Sequence, residues 1–203
     1  MTPFLITGCG RSGTGWAAAL FTALGHPCGH EEQFSYDRHG PLVQSESSWL
    51  AVPYLDSLPA DTTVLRIMRD PYLVVQSIVA KGFLGRGDAY DEFVASHRPD
   101  IVEPSSHLGR AIRYVALWDE PLEGCNLMRV DANTHRTTGA ARNATGARLS
   151  RSDVGRVRAA LGTEVNAEPA NRWFVAPSRE EIAADPDGYL IWDRAERFGY
   201  AAG

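Results

Sequence analysis

Residues 6–16 read Ile6-Thr7-Gly8-Cys9-Gly10-Arg11-Ser12-Gly13-Thr14-Gly15-Trp16, and this stretch decides the fold. A short apolar run over residues 3–8 enters it, and Trp16-Ala17-Ala18-Ala19-Leu20-Phe21-Thr22-Ala23-Leu24 leaves it as an apolar segment stopped by Gly25. The pattern is a buried strand, a glycine loop and a buried helix. Free backbone N–H groups at the start of such a helix face the loop at the positive end of the helix dipole, which makes an anion site. Gly10, Gly13 and Gly15 let the backbone approach that anion closely.

The rest of the chain repeats the alternation. Thr63-Val64-Leu65-Arg66-Ile67-Met68 is a strand that closes on Arg69-Asp70-Pro71. Pro71 fits the first turn of a helix with Asp70 as its cap, and the helix runs to Gly82. Residues 82–106 are rich in Gly, Pro and charge without a clear period, which predicts a long loop or lid. An amphipathic helix is predicted from Leu108 to Leu122 and a third strand over residues 125–130. Residues 134–146 (THRTTGAARNATG) are polar and read as a surface loop. Helices are predicted from Ser150 to Leu161 and from Asp187 to Phe198. Strands alternating with helices predict a three-layer α/β/α fold with a mainly parallel central sheet. With 203 residues and no evident linker, the whole chain, 1–203, reads as one domain.

Composition narrows the function. The net charge of −5 argues against a nucleic-acid partner held by bulk electrostatics, so any anion site must be local. Of the 20 basic residues only Lys81 is lysine, so a cationic catalyst here would be an arginine. No apolar run reaches the roughly 18 residues of a membrane span, and the first residues lack the basic start of a signal peptide, which predicts a soluble, cytoplasmic protein. Cys9, Cys28 and Cys125 are odd in number and far apart, and do not suggest a disulfide framework.

From Gly8 to Gly13 the loop has the outer spacing of GxxxxGK[ST], yet Thr14 stands where that motif has lysine. In ATP-hydrolysing loops that lysine bridges the outer phosphates, and the hydroxyl after it holds magnesium. Arg11 restores a positive charge at the loop crown, and its planar fork suits phosphate or sulfate.

The run Arg11-Ser12-Gly13-Thr14-Gly15-Trp16 resembles the 5'-phosphosulfate loop of sulfotransferases that use 3'-phosphoadenosine-5'-phosphosulfate (PAPS), usually K/R-S-G-T-T-W/L. Gly15 departs from the pattern where Thr is common. In this P-loop NTPase-like fold the family holds the donor's 3'-phosphate with an Arg at a strand end and a Ser eight positions on, the spacing of Arg69 and Ser77. The Trp118 helix followed by Leu127-Met128-Arg129-Val130-Asp131, and the ending Arg197-Phe198-Gly199-Tyr200, extend the likeness. Its motif pattern is closest to the bacterial carbohydrate and tyrosylprotein branches.

The resemblance implies transfer of a sulfuryl group from PAPS to the hydroxyl of a small molecule, carbohydrate or peptide, leaving adenosine 3',5'-bisphosphate (PAP). Arginine would replace magnesium, so no metal is required. Gly10, Arg11, Ser12, Gly13, Thr14, Gly15, Trp16, Arg69 and Ser77 would bind the donor, with Trp16 against adenine and Arg172 as an extra phosphate contact. The base in those branches is a Glu after the loop helix, which favours Glu32 in Gly29-His30-Glu31-Glu32-Gln33-Phe34, with Arg11 as catalytic cation. Glu31 is a close rival, and His30, His39 and Glu46 are further candidates. His26, Cys28 and His30 alternate, but their spacing fits no common zinc pattern. Two other functions compete: a P-loop small-molecule or nucleotide kinase, and a nucleotide-binding protein without activity.

Overall fold

The computed structural model describes residues 2–37, 39–130, 134–147, 149–161 and 174–200, with the backbone alone at 134–136. In chain order the elements are β1 (Phe4–Thr7), α1 (Thr14–Ala23), β2 (Cys28–His30), β3 (Ser45–Ser47), β4 (Thr63–Met68), α2 (Pro71–Lys81), α3 (Ala89–His97), α4 (Pro99–Val102), α5 (His107–Leu117), β5 (Asn126–Arg129), α6 (Thr134–Thr145), α7 (Arg151–Leu161), α8 (Arg179–Ala184) and α9 (Gly188–Arg197). Short 3-10 helices cover Trp49–Ser57 and Glu120–Leu122. The chain forms two compact units, Met1–Arg69 with Pro121–Ala167, and Asp70–Glu120 with Glu168–Gly203.

The first unit holds a five-stranded sheet in the order β2-β3-β1-β4-β5, with every pairing parallel. The fold is α/β with a parallel sheet and flanking helices, as the alternating pattern predicted. The chain adds β2 and β3 on one side of β1, then crosses to the other for β4 and β5. The carboxyl end of β1 therefore lies where the strand order changes direction, the usual ligand position in open parallel sheets. Phe4, Ile6, Leu65, Ile67 and Met128 of the strands pack with Trp16, Leu20 and Phe21 of α1 and Ala140, Ala141 and Ala144 of α6 in one core cluster.

Two expected loops are helical. Residues 134–146, read as a polar surface loop, are mostly α6. Thr137, Thr138, Ala140, Ala141 and Ala144 are buried, and small side chains at this helical spacing let the backbone lie close to the sheet. Composition hid that stripe because threonine and glycine counted as loop signals. Residues 82–106, read as a structureless lid, contain α3 and α4. Tyr90, Phe93 and Val94 form the buried face of α3, and the Asp88 carboxylate caps it by accepting from the Tyr90 and Asp91 amides at 3.1 and 3.4 Å. The charged positions between them broke the apparent period.

Helix α2 has the expected start and stop: the Asp70 side chain accepts from the Tyr72 amide at 2.9 Å, Pro71 opens the first turn, and Gly82 ends it at φ 75°. In the same second unit, Arg194 of α9 is ion-paired with Asp119 and donates to the Ala116 carbonyl at 3.1 Å. Asp119 is 1% exposed, so the pair is shielded from water. No helix among the described residues is long and apolar enough to cross a membrane.

Candidate functional site

Because the five strands are parallel, their carboxyl ends share one edge of the sheet, and the segments that follow them share it too. The loop after β1, the His30–Glu32 segment at the end of β2, and Arg69 one residue beyond β4 thus come to the same edge of the first unit. These segments are far apart in sequence, and the topology gathers them.

The glycine loop is tightly built. A Cβ on Gly8 would stand 2.3 Å from the Ile67 carbonyl oxygen, so the loop leaves β1 in direct contact with the backbone of β4. The Ser12 amide donates to the Cys9 carbonyl at 3.1 Å, closing the turn. Arg11, at φ 69°, and Gly13, at φ 102°, are both left-handed, and for Arg11 that conformation carries steric strain. Gly13 is the N-cap residue of α1, and no side-chain hydrogen bond caps the helix among the described residues. The loop thus leads straight into an N-terminus with no acidic residue in its first turn, the electrostatic setting that attracts an anion.

Thr14, where a lysine would stand, is turned to structural work. Its hydroxyl lies 3.2 Å from His30 Nε2, and its carbonyl accepts from the buried Ser47 hydroxyl at 2.8 Å. His30 Nε2 is also 3.4 Å from the Glu31 carboxylate, so loop hydroxyl, imidazole and carboxylate form a short chain. Burial holds the His30 imidazole below its ordinary value, against the opposing pull of Glu46 and then Glu32.

The carboxylates differ sharply in setting. Glu31 and Glu32 are exposed, and Glu31 sits at φ 59°. Glu32 Oε2 accepts from Gln44 Nε2 at 2.8 Å. Glu46, on β3, is 0% exposed and accepts from the Glu32 amide at 2.8 Å and from Gln33 Nε2 at 3.2 Å. A carboxylate sealed from solvent cannot meet an incoming acceptor, so Glu46 is removed from the candidate bases. His39 stacks on Tyr54 with ring centroids 3.9 Å apart, an arrangement that accounts for it without a catalytic role.

Trp16, expected against adenine, is placed in the core. It is 2% exposed within the core cluster, with the Arg158 guanidinium 5.6 Å from its ring centroid, so no open ring face is available to an adenine base. Arg172 lies outside the described residues. Ser77 is half-buried on α2 in the second unit, whereas Arg69 belongs to the first. No three His, Cys, Asp or Glu side chains are grouped as metal ligands among the described residues. Burial, with Glu46 and Glu32 nearby, pushes the Cys28 thiol up to about 12.

No family model, curated protein or solved structure matches the chain. The functional reading therefore rests on the residues themselves.

Three contributors escaped the sequence reading. Ser47 and the buried setting of Glu46 depend on β3, a three-residue polar strand with no hydrophobic alternation to reveal it. Arg158 on α7 donates to the Val130 carbonyl and to Thr137 Oγ1, both at 3.0 Å. Val130 is the residue that a Cβ on Gly13 would strike at 2.7 Å, which brings Arg158 within one residue of the loop. Nothing in the local sequence of α7 marks that arginine apart from its neighbours.

Proposed function

We propose that the protein transfers a sulfuryl group from PAPS to a hydroxyl acceptor. The observation that carries this reading is the glycine loop at the carboxyl end of β1, with Arg11 in it, no lysine, and an N-terminus of α1 with no acidic residue in its first turn. Such a loop favours a dianionic group, and an arginine fork in place of lysine and magnesium favours phosphosulfate over the outer phosphates of ATP. A carboxylate-bearing segment at the same sheet edge supports a transfer role rather than binding alone.

Glu32 would take the acceptor's proton as the acceptor oxygen attacks sulfur. The new O–S bond forms as the bond from sulfur to the bridging oxygen breaks, and that electron pair leaves on the 5'-phosphate of PAP. Arg11 and the backbone N–H groups of residues 12–14 would stabilise the charge gathering on those oxygens, a preorganised electrostatic role. Arg69 is a proposed contact for the 3'-phosphate, and the acceptor is proposed to be a small molecule, carbohydrate or peptide.

The test of the base is Glu32→Gln. Donor affinity should persist while turnover falls by roughly 100-fold or more, the span of general-base contributions. Full turnover in this variant would remove Glu32 from its role and move attention to His30, whose Nε2 already reaches the loop.

A further inference from the structure

Three side chains converge over Gly29 in the first unit. A Cβ built on that glycine would lie 2.4 Å from Glu46 Oε2, 3.1 Å from Gln44 Nε2 and 3.1 Å from the Glu32 carboxyl carbon. Both carboxyl groups thus lie close to one point, and only a residue without a side chain leaves room for them. Gly29 pairs directly with Glu46 across β2 and β3, so the parallel register sets the buried carboxylate over the glycine.

The contacts of Glu46 run to the segment bearing the proposed base. Oε1 accepts the Glu32 amide at 2.8 Å, and Oε2 accepts Gln33 Nε2 at 3.2 Å. Gln33 is held in turn: its Nε2 also donates to the Gln44 carbonyl at 3.0 Å, and its Oε1 accepts the Val43 amide at 2.8 Å. Gln44 closes the ring by donating to Glu32 Oε2. A carboxylate at 0% exposure is expensive to bury unless its hydrogen bonds are worth the desolvation. Here those bonds fix the backbone of residue 32 and the Gln33 side chain, immediately after Glu31 turns the chain through a left-handed conformation, while Gln44, which Gln33 also bonds, holds one carboxylate oxygen of Glu32.

We propose that Glu46 is a positioning residue: buried in a slot made by Gly29, it locks the Glu31–Gln33 turn and so aims the Glu32 carboxylate. The proposal rests on the reading of Glu32 as base, but its structural half stands apart from it. Cys28 and His30 are the titratable groups that feel both Glu46 and Glu32 at the slot.

The test compares Glu46→Ala and the isosteric Glu46→Gln with the wild type in three measurements. Amide hydrogen exchange is read at Glu32 and Gln33, with the amides of α1 as the folding control. PAP affinity is read by calorimetry, and turnover as PAP release from PAPS with water as the acceptor. In Glu46→Ala we expect exchange at Glu32 to rise by about tenfold or more while α1 stays protected, the mark of a local opening. PAP affinity should hold within about twofold, and turnover should fall on the order of 100-fold, as for a misplaced catalytic group. Glu46→Gln, whose carbonyl can still accept the Glu32 amide, should recover most of both losses. Unchanged exchange at Glu32 in Glu46→Ala, or parallel loss of affinity and turnover in Glu46→Gln, overturns the proposal. If the wild type consumes no PAPS, the sulfuryl-transfer reading fails alone, because exchange at Glu32 still decides whether Glu46 holds the turn.

Discussion

Gly8→Ala probes how the anion loop is seated. The added Cβ would stand 2.3 Å from the Ile67 carbonyl oxygen, well inside any tolerated approach, and would also press on the Ile67 side chain at 3.2 Å. The obstructing atom is backbone in the central strand pair, so it cannot swing away as a flexible side chain could. Either the loop lifts off β4 or the β1–β4 ladder distorts. Overpacking of this kind costs about 1–3 kcal/mol when side chains can adjust, and a rigid backbone partner puts the cost at about 3 kcal/mol or above. For a chain of this size each kcal/mol moves Tm by about 2–4 °C, which predicts a fall of roughly 6–12 °C. Thermal unfolding followed by circular dichroism reads it, with PAP affinity measured well below the transition; the lifted loop should also bind PAP more weakly. A Tm within about 2 °C of the wild type would refute the close seating of the loop on β4.

Gly139→Ala tests the helix over residues 134–145: Gly139 is exposed, with nothing within 4 Å of a built Cβ, so alanine should stabilise by about 0.5–1 kcal/mol, whereas a loop position would show no gain. Asp119→Ala should destabilise by about 3–5 kcal/mol in denaturant titration, because it strands the buried Arg194 guanidinium without its carboxylate. Burial depresses the His30 value below 6.5, so the folded state binds fewer protons than the unfolded one just below that pH. Its contribution to stability is therefore complete above pH 6.5 and is lost as the pH falls through the window beneath it; His30→Gln should flatten that part of the pH–stability curve measured with urea. The Cys28 thiol, held up to about 12, should react slowly with a thiol reagent at pH 8 until the chain is unfolded.

Much of the frame was legible because it rests on strong local signals. Phe4–Thr7 and Thr63–Met68 are apolar runs ended by turn residues, and Asp70, Pro71 and Gly82 punctuate α2 where capping chemistry demands. What escaped depends on partners distant in sequence. The strands Cys28–His30 and Ser45–Ser47 are three residues each and polar, so their pairing comes from the register and not from propensity. The stripe Thr137, Ala140, Ala141 and Ala144 looks like loop composition until a sheet is placed beneath it. Helix α8 did carry a readable signal, the capping box of Ser178 and Glu181, which the alternation of longer elements overshadowed. In the site the loop itself was visible as glycine spacing. The burial of Trp16 was hidden because a motif position says nothing of which way the ring faces, and the helix turns it into the core. Glu46 was visible as a carboxylate, but its burial and its bond to the Glu32 amide come from the strand register, which no local pattern encodes.

We propose that the arginine-bearing loop holds a phosphosulfate donor and not magnesium ATP. Calorimetric titration with PAP, beside magnesium ATP and 5'-AMP, tests it most directly, on the wild type and on Arg11→Ala and Arg69→Ala. PAP should bind most tightly, and each substitution should weaken it by about 10- to 100-fold, the worth of a charge-assisted hydrogen bond of about 1.5–3 kcal/mol. Preference for magnesium ATP, or no binding of PAP at all, would contradict it.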